Sequence, residues 1–210
     1  MTSDNWKNKD VFRQQLERNV QELNGPYPEH WTFLLNHLNQ EFAVRSDVIS
    51  VLDAGCGVGA VGQLLTTQIH HPLTYRGVDY SLEAVEIAQN TWGRERKSFI
   101  VKDFQELTPD YCKNINVLHA TGLVDIMEDG TRCMRHLLSL GVENVLLTRI
   151  NTTDKPSYAE KYEAYGIETF SYKMNYLEMA DIVLNSGYRI KALESMTYDH
   201  NIKNLFLYKE

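Results

Sequence analysis

The 210-residue sequence predicts an α/β domain built on a doubly wound, mostly parallel seven-stranded sheet. Three observations predict it. Short apolar runs alternate with helical ones through the middle of the chain. The first of those runs ends in a loop where every second residue is glycine, and the last two strand-like runs have no helix between them.

The elements follow in order. Phe12, Leu16, Val20 and Leu23 recur at helical spacing, as do Trp31, Leu34, Leu35, Leu38 and Phe42. Gly25-Pro26-Tyr27-Pro28 separates these two helices, because proline inside a helix removes a hydrogen bond and clashes with the preceding turn. The strands expected next are Val48 to Asp53, Leu73 to Val78, Ser98 to Val101, Asn116 to His119 and Asn144 to Thr148, with helices starting near Ala60, Leu82 and Thr131. Residues 152 to 172 break the rhythm: they are polar and tyrosine-rich, with Tyr158, Tyr162 and Tyr165 at helical spacing. Asn175 then opens a helix, with Glu178 three residues on as in a capping box, and Gly187 closes it. Tyr188 to Glu194 and Lys203 to Tyr208 are the last two strands, paired antiparallel across a turn near Asp199-His200-Asn201. The organisation is therefore an N-terminal helical extension over residues 1–45 and a core domain over 46–210, with an insertion at 151–172.

Composition narrows the function. Hydrophobic residues make up 43% and charged residues 23%, the balance of a folded globular chain. The net charge of −7 argues against a large nucleic-acid footprint, which needs clustered cations. No apolar run approaches the roughly 20 residues that span a bilayer, and the start, Met1-Thr2-Ser3-Asp4, lacks a signal-peptide pattern. Cys56, Cys112 and Cys133 form no CxxC pair and no disulfide framework, and the seven histidines show no metal-binding spacing. A cytoplasmic, metal-free protein is expected.

The glycine loop carries the chemistry. In Val51-Leu52-Asp53-Ala54-Gly55-Cys56-Gly57-Val58-Gly59-Ala60, glycines allow a tight turn and let backbone approach a ligand. Gly57, Gly59 and Gly62 also satisfy the dinucleotide pattern GxGxxG, so a nucleotide binder or NAD-linked oxidoreductase competes with other readings. Asp53 separates them: a carboxylate at the strand end accepts from a cationic or amino-bearing ligand and repels a pyrophosphate. Cys56 reads as a small residue chosen for size.

Residues 51 to 59 resemble the D-x-G-x-G-x-G motif of class I S-adenosylmethionine-dependent methyltransferases, whose fold is Rossmann-like. The resemblance covers residues 46 to 150 and 175 to 210. It implies S-adenosylmethionine as cofactor and S-adenosylhomocysteine as product. Gly77-Val78-Asp79-Tyr80-Ser81 looks like the second strand end, whose acidic residue, here Asp79, binds the ribose hydroxyls. Val101-Lys102-Asp103-Phe104 looks like the third, where Asp103 takes the adenine amino group and Phe104 flanks the ring. The bland alternative for Asp79 and Asp103 is that each merely caps the turn after its strand. The implied cofactor residues are thus Asp53, Ala54, Gly55, Cys56, Gly57, Gly59, Asp79, Tyr80, Ser81, Asp103, Phe104 and His119.

The acceptor is less legible. His119 ends the fourth strand, where an imidazole suits general-base work on a hydroxyl near neutral pH; the alternative is that it only packs on the cofactor. Arg149 ends the fifth and is placed to clamp an anionic group or to form a salt bridge across the strand ends. Tyr158, Tyr162 and Tyr172, with Tyr27, His30 and Trp31, are expected to wall the acceptor pocket or to pack the insertion on the first helices. The sequence lacks the Asn/Asp-Pro-Pro-aromatic run of amino-group methyltransferases and the paired-glutamate hairpin of protein arginine methyltransferases. The run HATGLVDIMEDG from His119, followed by LLTRI ending at Ile150, resembles uncharacterised methyltransferases associated with surface-polysaccharide genes. That resemblance implies a small polar acceptor such as a sugar hydroxyl. An RNA or protein methyltransferase with a short recognition surface remains the alternative.

Overall fold

The computed structural model describes residues 4–209. Two helices, α1 (Lys9–Asn24) and α2 (Glu29–Phe42), precede the sheet. The core then alternates β1 (Ile49–Ala54), α3 (Ala60–Gln68), β2 (Leu73–Asp79), α4 (Leu82–Trp92) and β3 (Lys97–Val101). It continues through β4 (Val117–Thr121), α5 (Gly130–Ser139) and β5 (Asn144–Thr153). A hairpin, β6 (Tyr158–Ala164) and β7 (Ile167–Asn175), comes before α6 (Tyr176–Asn185) and the closing pair β8 (Tyr188–Ser195) and β9 (Ile202–Lys209).

β3, β2, β1, β4 and β5 pair parallel in that order, and β9 then pairs antiparallel with both β5 and β8. β1 is central and reads as a nearly unbroken apolar run because helices cover both of its faces. Its side chains alternate. Leu52 and Ala54 join a core with Leu118, Leu147, Met134 and Ile182 beneath α5 and α6. Ile49 and Val51 join another with Leu34, Leu38, Leu64 and Phe206 beneath α2 and α3. Adjacent β1 and β4, whose following helices lie on opposite faces, open a crevice at their carboxyl ends, the usual place for a ligand in such sheets.

Two expectations need correction. The sheet has nine strands among the described residues rather than seven, because the tyrosine-rich insertion is the β6–β7 hairpin. A spacing of four fits one face of a helix and one face of a strand alike, so Tyr158 and Tyr162 did not discriminate. The tip Tyr165-Gly166, with φ +53° and +74°, turns the chain back. The capping box is also half formed. Asn175 Oδ1 accepts from the Leu177 and Glu178 amides, but Glu178 turns away to the hydroxyls of Thr131 and Ser157.

Candidate active site

A cavity of about 400 Å³ lies at the carboxyl ends of β1, β2, β4 and β5. The loop after β1 forms its floor. Gly55, Gly57 and Gly59 have φ of +73°, +52° and +80°, a conformation that side chains with a Cβ resist. Gly55 and Gly57 face the cavity, and a Cβ on Gly57 would stand 3.0 Å from Gln15 Oε1 of α1. Gly59 serves packing instead: its Cβ would fall 2.5 Å from the Phe99 ring.

Asp79 anchors the loop. Its Oδ2 accepts from the Gly57 amide at 2.9 Å and its Oδ1 from the Ser81 amide at 2.9 Å, while the carboxyl group borders the cavity. Burial pushes its pKa up to about 6, against the lowering effect of those two amide bonds. Tyr80 and Phe104 line the cavity beside it.

Asp53 and His119 are placed differently from expectation. Both are 1% exposed, and neither reaches the cavity wall. Asp53 Oδ1 lies 2.8 Å from His119 Nδ1, and its Oδ2 accepts from the Tyr75 hydroxyl at 2.5 Å. With Tyr75 the pair ties together β1, β2 and β4 under the floor, and the bond to Asp53 occupies the Nδ1 of the imidazole. The cause is depth along the strand: His119 pairs in register with Asp53, inside β1, whereas Thr121, two residues on and on the same face of β4, is at the strand mouth and lines the cavity. Asp103 is likewise off the wall and caps the turn after β3, accepting from the Gln105 amide at 2.9 Å. Ala54 and Ser81 are buried behind the loop, and Ser81 caps α4.

Of the residues expected to wall an acceptor pocket, the structure brings His30, Trp31, Arg149 and Tyr162 to the cavity. It does not bring Tyr27, which packs on Trp31, or Tyr172, whose hydroxyl is 2.6 Å from Thr131 Oγ1. Tyr158, on the same face of β6 as Tyr162, lines instead a neighbouring groove that Tyr162 also borders. Sequence reasoning missed Gln15 and Arg18 of α1 and Asp125 in the turn after β4. Helical spacing marks the apolar face of α1 but not which polar residue overhangs a loop. Trp6 and the hairpin complete the roof, with the indole N–H donating to Thr169 Oγ1 at 3.1 Å and Arg18 over the Tyr165 ring.

The wall is rich in unpaired polar atoms. Gln15 Oε1, His30 Nδ1, Thr121 Oγ1 and Asp125 Oδ1 are buried without a hydrogen-bond partner among the described residues, and all four residues line this cavity. Buried polar atoms are ordinarily satisfied, so such a concentration marks a ligand site. Burial, with Arg149 next, lowers the His30 pKa to about 3, which keeps the ring neutral at pH 7. Burial raises Asp125 to about 6, moderated by Arg149.

Comparison with known proteins accords with this geometry. A family model described as a methyltransferase domain matches residues 45–187. No curated protein matches the chain. Among solved structures, magnesium protoporphyrin IX methyltransferase from Synechocystis PCC 6803 with bound SAM is 15% identical, with a TM-score of 0.63 over 96% of this chain and 95% of that one. An S-adenosylmethionine-dependent methyltransferase from Clostridium acetobutylicum is 11% identical, with a TM-score of 0.66 over 94% and 98%. Burkholderia thailandensis 1,6-didemethyltoxoflavin-N1-methyltransferase, bound to 1,6-didemethyltoxoflavin and S-adenosylhomocysteine, is 15% identical, with a TM-score of 0.61 over 95% and 88%. At these identities the likeness to solved structures is one of fold.

Proposed function

This chain belongs to the methyltransferase-domain family, and from that premise we propose that it uses S-adenosylmethionine to methylate a small polar acceptor, with a sugar hydroxyl as the finer reading. The observation that carries the cofactor assignment is Asp79 at the cavity edge, joined to Gly57 of the glycine loop by a hydrogen bond. The residues present fit the group. Each Asp79 oxygen accepts one amide and keeps a second lone pair, so two ribose hydroxyls are accommodated without breaking the loop. Gly55 and Gly57 let backbone approach the ligand, Phe104 offers an aromatic edge for a base, and Gln15 Oε1 is an acceptor in need of a donor.

S-adenosylmethionine, when bound, supplies a methyl group already activated by its sulfonium. The protein's own task is then alignment and exclusion of water, where orientation contributes several kcal/mol. Trp6, α1 and the β6–β7 hairpin roof the cavity, and His30, Arg149 and Tyr162 face it from the acceptor side. In this reading residues 1–45 are a cap on a core of residues 46–210, residues 151–172 are an acceptor-side insertion, and the enzyme works in the cytoplasm. Small-molecule acceptors named for fold neighbours, magnesium protoporphyrin IX and 1,6-didemethyltoxoflavin, support an acceptor of that size class.

Thermal denaturation with S-adenosylhomocysteine and, separately, NAD tests the assignment. Only a ligand that binds the folded state raises Tm. S-adenosylhomocysteine is expected to raise it and NAD to leave it unchanged; the reverse result would return the chain to the dinucleotide reading of its glycine loop.

A further inference from the structure

Arg149 is one of two non-glycine residues with positive φ among the described residues, at +62°. Such a backbone costs energy and persists where the surroundings enforce it. Here the enforcement is visible. Between Leu147 and Ile150 the pairing of β5 with β9 slips by one residue, a β-bulge, and the buried Asn204 opposite receives the Arg149 amide on its Oδ1 at 3.0 Å. The bulge re-aims the guanidinium into the cavity, where it makes no hydrogen bond or ion pair with described residues.

Asp125 approaches from the turn after β4. It is 8% exposed, and its unpaired Oδ1 faces the same space. Gly122, with φ +56°, lies between the two. A Cβ there would stand 3.8 Å from Arg149 Nη1 and 3.8 Å from Asp125 Oδ1, with no nearer heavy atom outside its chain neighbours. The guanidinium and carboxylate therefore flank one small gap without closing it as an ion pair. His30 Nδ1 from α2 is a third unpaired polar atom on this cavity, and Tyr162 from β6 brings its hydroxyl into the field of both charges.

We propose that Arg149, Asp125 and His30 form the acceptor subsite and select a small hydroxy acid, one with a hydroxyl on the first or second carbon from its carboxylate, such as a 2-hydroxy acid or a hexuronate. This rests on the methyltransferase reading above. The guanidinium fork matches a planar carboxylate with two parallel hydrogen bonds. That hydroxyl donates to Asp125 Oδ1, and a further hydroxyl, where the acid has one, meets the neutral imidazole. A phosphate suits the site less well, because a dianion beside the Asp125 carboxylate meets repulsion that a single arginine does not offset.

The test is calorimetry on the full chain saturated with S-adenosylhomocysteine, with glucuronate, galacturonate and lactate as probes against glucose and galactose. At least one acid is expected to bind about tenfold or more tightly than its neutral counterpart, the scale of one charge-assisted pair. Arg149→Gln should erase that preference, Arg149→Lys should restore it in part, and Asp125→Asn should weaken the acids, all with S-adenosylhomocysteine affinity unchanged. Equal binding of acid and neutral sugar, or no binding of any acid, overturns the proposal. So does a loss of S-adenosylhomocysteine affinity in Arg149→Gln, which would assign the guanidinium to the carboxylate of the cofactor's amino-acid tail. Failure of S-adenosylhomocysteine to bind the unmodified protein removes the methyltransferase reading instead, and the comparison of acids with neutral sugars then decides the subsite by itself.

Discussion

Asp53 Oδ1 and His119 Nδ1 meet at 2.8 Å beneath the glycine loop, where neither side chain is more than 1% exposed. With Tyr75 on the other carboxylate oxygen, the three side chains link three neighbouring strands, β1, β2 and β4. His119→Ala is accordingly expected to act on stability: an unpaired buried carboxylate oxygen costs about 1–3 kcal/mol. Urea denaturation reads that loss. Turnover per folded molecule should stay within about tenfold of the parent, less than the 10²–10⁴ expected on removing a general base. A larger fall at unchanged stability would restore His119 to the chemistry.

Asp79→Ala should weaken S-adenosylhomocysteine binding by about 1.5–3 kcal/mol, the range for hydrogen bonds to a charged acceptor. The same change frees the Gly57 amide, which Asp79 Oδ2 holds at 2.9 Å, so part of the loss comes through the loop. Isothermal calorimetry checks it, and unaltered affinity would take Asp79 out of the site.

Gly57→Val should abolish cofactor binding in a protein that still folds. A φ of +52° disfavours a β-branched residue, and the added Cβ would meet Gln15 Oε1 at 3.0 Å. Circular dichroism establishes folding and calorimetry the loss; normal binding would mean that this loop does not hold the ligand.

Asp125→Asn should stabilise the ligand-free protein at neutral pH. Burial raises the folded pKa from 3.8 to about 6, so the ionised group opposes folding above pH 6. The opposition amounts to about 2–3 kcal/mol at full effect, and it is relieved as pH falls from 6 towards 4. The gain from asparagine should therefore be largest near pH 7 and shrink across that interval. His30 runs the other way, since its lowered pKa costs stability as pH drops below 6.5. Only the difference between parent and variant isolates Asp125, and a difference that is flat with pH would contradict the assignment.

The sequence disclosed the sheet and the glycine-loop wall of the cavity far better than the walls opposite it. β1 and the loop after it obey local rules: an apolar run buried on both faces, then glycines wherever φ must be positive. Asp79 and Gly57 could be named because a strand end and a glycine loop are positions defined along the chain. Asp125, Gln15 and the bulge at Arg149 were not legible, because each depends on what another segment does. Asn204, distant in sequence, holds the bulge, and α1 folds over a loop it does not adjoin. His119 was misplaced for a smaller reason. Residues 119 and 121 share one face of β4, and the sequence did not say how far the strand runs, hence which of the two stands at the mouth.

β5, which pairs with β4 on one side, divides its other pairings between β9 and β7, and this division has an evolutionary reading. Residues Asn144 to Asn151 pair with β9, whereas Thr152 and Thr153 alone pair with Met174 and Asn175 of β7. The ribbon beyond is thus grafted onto the sheet by two residue pairs, and β6 at its outer edge is almost wholly exposed. Mutational drift in β6 and the tip disturbs little of the shared core, to which β7 contributes Tyr172 and Met174, so lineages are free to remodel the outer strand while inheriting the rest unaltered. Diversity among descendants of such a chain should concentrate in β6 and the tip, and the strand that bears them should vary least where it meets β4.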